Sequence, residues 1–330
     1  RRTRNLTNCS ARWEWNKILK IRKMRKTLFS ELGCEVVISD DTNGRIISEG
    51  SKITVSEFCV PIKIFNGHVI NLTEKGVDFI FIPVFYKLKN EWYCPKFLGL
   101  SDIVKYSLPE YEDKILMAFF ENKKSVENED EPYLALTEKL GVTKGEMKKA
   151  LKKARACQEK FRALSEKGYT VSQAFDILSG KEAPEIKKYN INIALMGYVY
   201  NVYDNFVSMD TVKKLNEMGV GVTTFEMLPE EINAPDKKAM KEPYWVFARK
   251  VYNSALYLLD KGGIDGIIHL TAFCCGPDSV IGKLMELRSE EKKIPFMTMR
   301  VDEHTGDNHV QTRLEAFTDM IKMKKKEALV

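Results

Sequence analysis

The sequence predicts an α/β fold with two Rossmann-like parallel-sheet domains and a helical middle segment. The chain has 330 residues, more than one average domain. Hydrophobic residues make up 44% and charged residues 30%, which is typical of a folded chain with a sizeable core. In the second half, β-rich apolar runs alternate with helical segments, the pattern of a parallel sheet. The predicted divisions are a basic segment (1–26), an N-terminal α/β domain (27–122), an acidic linker with a helical segment (123–188) and a C-terminal α/β domain (189–330).

The N-terminal domain is predicted from five stretches. The segment Trp15–Leu32 indicates a basic amphipathic helix, and Pro61 suits the first turn of a helix that Gly76 ends. The apolar run Val77–Phe85 predicts a buried strand. The other expected elements are short strands at Glu35–Ser39 and Lys52–Val55, and a helix over Pro61–Glu74.

The middle segment contains two helix starts with capping-box spacing, Thr143 with Glu146 and Thr170 with Gln173. The first helix has an apolar face that includes Cys157, and its lysines and arginines largely occupy the opposite face. The C-terminal domain then alternates strands and helices. The predicted strands are Ile191–Tyr198, Val220–Met227, Gly266–Phe273 and Pro295–Val301, and the predicted helices are Thr211–Met218, Pro243–Lys261, Asp278–Glu290 and Gln311–Lys324.

The charge distribution gives little information on partners. Residues 1–26 contain ten Lys or Arg residues against the single acid Glu14. Without a recognised nucleic-acid module, this excess does not predict nucleic-acid binding. The longest apolar run, Val77–Tyr86, is too short to span a bilayer, and no apolar stretch of a secretory signal follows the basic start. We therefore expect a cytoplasmic protein that does not contact membranes.

The seven cysteines are the most informative residue type. An odd count in a chain that we expect to be cytosolic argues against a disulfide framework. Cys59, Cys94 and Cys275 each stand beside or near a proline where a loop is expected to enter a helix. A helix N-terminus favours the thiolate, and thiolates bind metals. The wide spacings differ from zinc-ribbon pairs and suit a cluster held from separate loops. Burial as small hydrophobic residues is the alternative interpretation.

A second polar group follows the last predicted strand: Asp302, Glu303, His304, Asp307 and His309. One interpretation is a hydrophilic turn between a strand and a helix. The other is a carboxylate–imidazole group that moves protons or binds a substrate donor, because ligands in open parallel sheets bind beyond the carboxyl ends of the strands. In contrast, His269 lies inside an apolar strand and is expected to be a hydrogen-bonded core histidine.

Four strings, which include these cysteines, carry a family resemblance: Ser56–Lys63, Cys94–Leu100, Phe273–Ser279 and Asp302–Gly306. From about Leu28 to Met320 the chain resembles the CoA-protein activase family (DUF2229-like), which is related to activases of 2-hydroxyacyl-CoA dehydratases. That group is similar to the cluster-binding subunits of 2-hydroxyglutaryl-CoA dehydratase and benzoyl-CoA reductase, and to double-cubane cluster reductases. Relatives usually begin with a short apolar strand, whereas residues 1–26 here are basic.

The resemblance implies an iron–sulfur cluster, of the [4Fe–4S] or double-cubane type, in a cleft between two α/β domains. Its ligands would be Cys59, Cys94 and Cys275, with Cys274 as a spare or fourth ligand. An iron site left open could bind a substrate oxygen as a Lewis acid does. Glu57 and His304 are the candidates for proton handling or for support of the ligands.

Two functions follow from the resemblance. The first is an iron–sulfur component for low-potential electron transfer or for reductive or dehydratase chemistry in an anaerobic system. The second is a non-catalytic accessory or scaffold subunit. The chain contains neither a G-x-x-x-x-G-K-[ST] loop nor an Asp-x-Gly-Ser/Thr phosphate loop, so we do not expect it to hydrolyse ATP by itself. The implied partners are a separate ATP-dependent activator, a CoA thioester or other small substrate, and a second subunit in a homo- or heterodimer.

Overall fold

A computed structural model describes residues 9–10, 20–88, 91–122, 129–233 and 243–327. The chain divides into two compact units, Arg1–Arg162 and Ala163–Val330. Both contain a sheet with parallel strands and flanking helices, which confirms the predicted α/β class. Most of the basic segment 1–26 and most of the acidic linker lie outside the described residues, and the four predicted divisions of the chain stay predictions.

The first unit is built around one long strand. Its elements are β1 (Cys9–Ser10), α1 (Lys20–Glu31), α2 (Gly44–Ile53), α3 (Val60–Glu74), β2 (Phe79–Leu88), β3 (Glu91–Trp92), α4 (Pro95–Leu98), α5 (Leu100–Ser107), a 3₁₀ helix (Pro109–Lys114), β4 (Ile115–Asn122), α6 (Glu131–Leu134) and α7 (Lys144–Glu166). Strand β2 pairs in parallel with β1 and β4, and its end turns into an antiparallel hairpin with β3. The predicted strand at Val77–Phe85 and helix at Pro61–Glu74 are thereby confirmed, whereas β4 was not predicted.

Helices α2 and α3 cross at backbone contact. A Cβ added to Gly50 would lie 1.8 Å from the Lys63 carbonyl oxygen, and one added to Gly67 would lie 1.9 Å from that of Ile46. Only glycine allows two helices to approach so closely. Because α3 begins directly after Cys59, this crossing determines where that cysteine lies.

Two short strands predicted in this region are wrong. Lys52 and Ile53 are the last residues of α2. Asn43 caps the start of this helix, because its side-chain oxygen accepts a hydrogen bond from the Ile46 N–H at 3.1 Å. The β-branched run Ile53–Val55 favoured a strand, but the helical spacing of buried Ile46, Ile47 and Gly50 decides the outcome. Residues 35–39 have no regular secondary structure.

The segment after residue 39 is held by α3 instead of by a sheet. The buried His68 bonds the Ser39 hydroxyl through Nδ1 at 2.9 Å and the Thr42 hydroxyl through Nε2 at 3.0 Å. Both ring nitrogens are therefore used structurally.

Part of the basic N-terminal segment is buried. Arg25, on α1, is 4% exposed, and its guanidinium lies 5.4 Å from the Phe81 ring centroid and 5.6 Å from that of Phe85. Burial lowers the pKa of this guanidinium. Arg25 therefore belongs to the aromatic core under β2, and it is not part of a solvated tail.

The second unit follows the predicted alternation closely. Its elements are α8 (Val171–Leu178), β5 (Ile191–Met196), α9 (Val199–Tyr203), α10 (Thr211–Glu217), β6 (Val220–Thr223), two 3₁₀ helices (Phe225–Met227 and Glu230–Asn233), α11 (Val246–Lys261), β7 (Gly266–Ala272), α12 (Gly276–Glu291), β8 (Phe296–Val301) and α13 (Asp307–Glu327). The four strands are all parallel, in the order β6-β5-β7-β8. Both capping boxes form, at Thr143 with Glu146 and at Thr170 with Gln173. Among the described residues, no helix is both long and apolar enough to cross a membrane.

Candidate functional site

Cys59 and Cys94 occupy equivalent local positions in the first unit. Each is the residue immediately before a helix, in extended conformation, with φ and ψ of −62° and 147° at Cys59 and −63° and 152° at Cys94. A proline follows within the first two helical residues in both cases, where its missing N–H is not needed. The predicted placement of these cysteines at loop-to-helix junctions is confirmed.

The two thiols lie near enough to each other to interact electrostatically. The pKa of the Cys94 thiol is raised to about 11, first by burial and further by the neighbouring Cys59, although N–H groups of Phe97 and Lys96 oppose this. The expectation that a helix start lowers the pKa is therefore wrong for Cys94. Helix α4 has only four residues, so its N-terminus offers little dipole to offset the cost of burying a charge.

Aromatic packing fixes the turn that carries Cys94 against the sheet. The Tyr93 ring lies 5.6 Å from Phe85 on β2 and 6.1 Å from Phe97 on α4, between ring centroids. The Tyr93 N–H donates to the Tyr86 carbonyl at 3.1 Å, which continues the β2–β3 hairpin. Cys94 thus follows directly from a rigid part of the first unit.

The turn before Cys59 is exposed and carries Glu57. A hydrogen bond with the Ser56 side chain is the main reason that the pKa of the Glu57 carboxyl is lowered. Lys96, two residues after Cys94, donates from Nζ to the Glu57 carbonyl oxygen at 3.2 Å. The Glu57 carboxylate is therefore ionised near neutral pH and can accept hydrogen bonds there.

In the second unit, Cys274 and Cys275 form the turn between β7 and α12. The Cys275 N–H donates to the Ala272 carbonyl at 3.1 Å. Cys275 is the N-cap residue of α12, but its side chain makes no capping hydrogen bond. Cys274 has a φ of +63°, the left-handed region that costs about 1 to 2 kcal/mol for a residue with a Cβ. This backbone turn separates the two thiols: Cys274 is exposed, whereas Cys275 is 9% exposed.

The strand order places this turn at a favourable point of the sheet. From β5 the chain passes to β6 on one side and then crosses to β7 on the other. The reversal of direction opens a crevice at the carboxyl ends of β5 and β7, where ligands of such sheets bind. The Cys275 turn follows the carboxyl end of β7 and therefore lies at the edge of the sheet where a ligand site is expected.

A buried pair beneath the turn anchors the start of α12. His269, on β7, bonds through Nε2 to Oδ1 of Asp278 at 3.0 Å, and the side chains are 1% and 0% exposed. Asp278 lies in the first turn of α12, three residues after Cys275. The prediction that His269 is a hydrogen-bonded core residue is borne out, but Asp278, its partner, was not recognised from the sequence.

His304 lies in a polar turn between β8 and α13. Its N–H donates to the Asp302 carboxylate at 2.9 Å, and the Thr305 hydroxyl donates to the same oxygen at 2.9 Å. The Asp302 N–H in turn donates to the Thr305 hydroxyl at 2.8 Å. These hydrogen bonds hold the turn together through the Asp302 and Thr305 side chains. The His304 residue is exposed to solvent.

The candidate ligands are divided between the two units, with Cys59 and Cys94 in the first and Cys274 and Cys275 in the second. Across the part of the chain that the structure describes, no three His, Cys, Asp or Glu side chains are grouped to hold a metal ion.

Cys157 is half-buried, which is less burial than its place on an apolar helix face predicted. A cavity of about 930 Å³ in the second unit is lined by residues between Gly168 and Met227, none of which is a candidate site residue.

The donor set of the first unit nevertheless fits an iron–sulfur cluster. Two thiols at neighbouring helix starts, one of them bonded by backbone N–H groups, match the thiolate ligands and N–H···S hydrogen bonds that such clusters use. In the second unit, Cys275 also stands at the start of a helix.

Two models of known protein families match the chain. Residues 18–228 match the family model described as CoA enzyme activase uncharacterised domain (DUF2229). Residues 156–321 match that of 2-hydroxyglutaryl-CoA dehydratase, D-component. No curated protein matches the chain. Each family model covers half of the chain or more, and the two matches overlap at residues 156–228. The chain therefore belongs to these two families, the CoA enzyme activase uncharacterised domain (DUF2229) and the 2-hydroxyglutaryl-CoA dehydratase D-component, and through them to the 2-hydroxyacyl-CoA dehydratase and activase systems.

Proposed function

We propose that this chain is an iron–sulfur component of the 2-hydroxyacyl-CoA dehydratase and activase system. Cys59, Cys94 and Cys275 are the proposed ligands, and Cys274 is a spare or fourth ligand. The observation that carries the proposal is that the three cysteines share one local design, a thiol directly before a helix with proline in its first two residues. A bound cluster would supply low-potential electron transfer to a reducible substrate such as a CoA thioester.

The surrounding residues have separate roles in this proposal. The N–H groups of Lys96 and Phe97 stabilise charge on the Cys94 sulfur. The His269–Asp278 pair holds the start of α12 and therefore the Cys275 turn. The exposed Glu57 carboxylate and the exposed His304 ring are the groups proposed for proton handling or for support of the ligands.

The proposed partners follow from the family. The chain has no recognised phosphate loop of its own, and an ATP-dependent activator is the proposed electron donor. A homo- or heterodimer is the proposed assembly.

The experiment is anaerobic purification and reconstitution, followed by the visible absorption spectrum. The wild-type protein is expected to show the broad absorption of an iron–sulfur chromophore. Cys275→Ser should bleach it, whereas Cys157→Ser should leave it intact because Cys157 lies on α7, away from the helix starts. Equal spectra for the two variants would refute the ligand assignment.

An accessory or scaffold subunit is the second candidate. It is supported by the match of the first two thirds of the chain to a domain of CoA enzyme activases. A protein that takes up no iron or sulfide on reconstitution, yet binds an ATP-dependent activator, would favour this role.

A further inference from the structure

One lysine connects the two cysteine-bearing turns of the first unit. Lys96 is the second residue of α4, directly after Cys94 and Pro95. Its ammonium donates to the Glu57 carbonyl oxygen at 3.2 Å and lies 5.1 Å from the ring centroid of Phe58. Glu57 and Phe58 immediately precede Cys59. A single side chain thus bridges two turns that are 35 residues apart in the sequence.

The turn before Cys59 is exposed, so a contact from another element can contribute to its position. Val55, Ser56 and Glu57 are exposed, and the turn closes on itself through the Phe58 N–H, which donates to the Val55 carbonyl at 3.0 Å. A hydrogen bond from a charged donor is stronger than a neutral one, and a cation–π contact adds to it. Lys96 supplies both to this turn at once.

The same ammonium brings a positive charge to this place. A positive charge near the Cys94 sulfur favours negative charge there. Because Lys96 reaches the Glu57 carbonyl from α4, its charge stays between the two cysteine-bearing turns as long as this bridge holds.

We propose that Lys96 is a positioning residue that holds the Cys59 turn against the Cys94 helix, so that the two thiols act as one dithiol site with a fixed positive charge beside it. In assigning a cluster to these thiols the inference rests on the proposed function. The positioning itself concerns only the chain's own residues and is tested without iron.

The test uses the reduced, metal-free full chain and phenylarsine oxide, a trivalent arsenical. The reagent forms two As–S bonds with a pair of nearby thiols and releases its oxygen as water, which takes up both thiol protons. Mass spectrometry of the digested protein identifies the bridged cysteines, and competition with a small dithiol measures the affinity. The wild-type chain is expected to be bridged between Cys59 and Cys94.

The variants separate positioning from general destabilisation. Lys96→Met should weaken arsenical binding by about tenfold, since it removes both the charged hydrogen bond and the ring contact. Lys96→Arg, which keeps the charge and the donor, should restore most of the affinity. Phe58→Leu removes only the ring contact and should give a smaller loss. Lys75→Met is the matched control, because Lys75 also bridges to a backbone carbonyl, that of Ile38 at 2.9 Å, in another part of the unit.

Two results would overturn the inference: a wild-type chain in which the arsenical does not bridge Cys59 and Cys94, or a Lys96→Met variant with wild-type affinity. Far-UV circular dichroism and the urea midpoint verify that each variant is folded. In the iron-loaded protein, Lys96→Met should also lower the reduction potential, because it removes a positive charge beside the ligands. A protein that binds no iron but retains the Lys96-dependent arsenical site would refute the proposed function and leave the positioning role standing.

Discussion

The buried pair that anchors the Cys275 turn gives the sharpest stability prediction. Asp278→Ala would leave Nε2 of His269 buried without its hydrogen-bond partner, on a side chain that is 1% exposed. An unsatisfied buried polar group costs about 1 to 3 kcal/mol. We expect a loss of about 3 kcal/mol in the free energy of unfolding. Asp278→Asn keeps the shape and an oxygen acceptor and should lose about 1 kcal/mol.

Urea denaturation followed by circular dichroism measures this loss. The matched control is Glu286→Ala on the same helix, since Glu286 forms only an exposed ion pair with Lys283 at 2.8 Å and its removal should change stability by less than about 0.5 kcal/mol. Alkylation of Cys275 gives a local measurement. Asp278→Ala should accelerate alkylation of Cys275 but not of the exposed Cys274. A loss below about 1 kcal/mol, or one no larger than that of the control, would refute the anchoring role.

Three further predictions concern other parts of the molecule. Gly50→Ala or Gly67→Ala should destabilise the first unit by about 3 kcal/mol or more, because each added Cβ would overlap a backbone carbonyl of the crossing helix. Gly44→Ala is the control and should be nearly neutral, since no atom lies within 4 Å of its added Cβ. Equal urea midpoints for these variants would contradict the prediction. Cys274→Gly should raise the free energy of unfolding by about 1 kcal/mol, because glycine adopts the positive φ without strain, and the melting temperature should rise with it. A variant less stable than the wild-type protein would count against a strained turn. In the metal-free protein, the alkylation rate of Cys94 should rise about tenfold per pH unit until about pH 11, because burial keeps the thiol protonated. Peptide mass spectrometry measures this rate. A plateau near pH 9 would show that the pKa of the Cys94 thiol is not raised.

The cysteine positions could be predicted because their signal is local. Proline beside Cys59, Cys94 and Cys275 indicates a helix start, and the capping boxes at Thr143 and Thr170 likewise depend on neighbouring residues alone. The alternation of strands and helices placed the Cys275 turn at the carboxyl end of β7 in the same way.

The features that could not be predicted depend on tertiary contacts. Lys52 and Ile53 lie in a helix because α2 packs against α3 through Gly50 and Gly67, and no local propensity encodes this crossing. The raised pKa of Cys94 results from burial, which outweighs the helix start. The bridge from Lys96 to Glu57 and the bond from His269 to Asp278 join residues whose approach only the folded chain reveals.

The iron and acid-labile sulfide content of the anaerobically reconstituted full chain tests the proposed iron–sulfur site most directly. We expect iron and sulfide in equal, stoichiometric amounts in the wild-type protein. Both should be lost in Cys59→Ser, Cys94→Ser and Cys275→Ser, while Cys157→Ser retains both. A wild-type chain that is folded but takes up neither iron nor sulfide would contradict the proposed function.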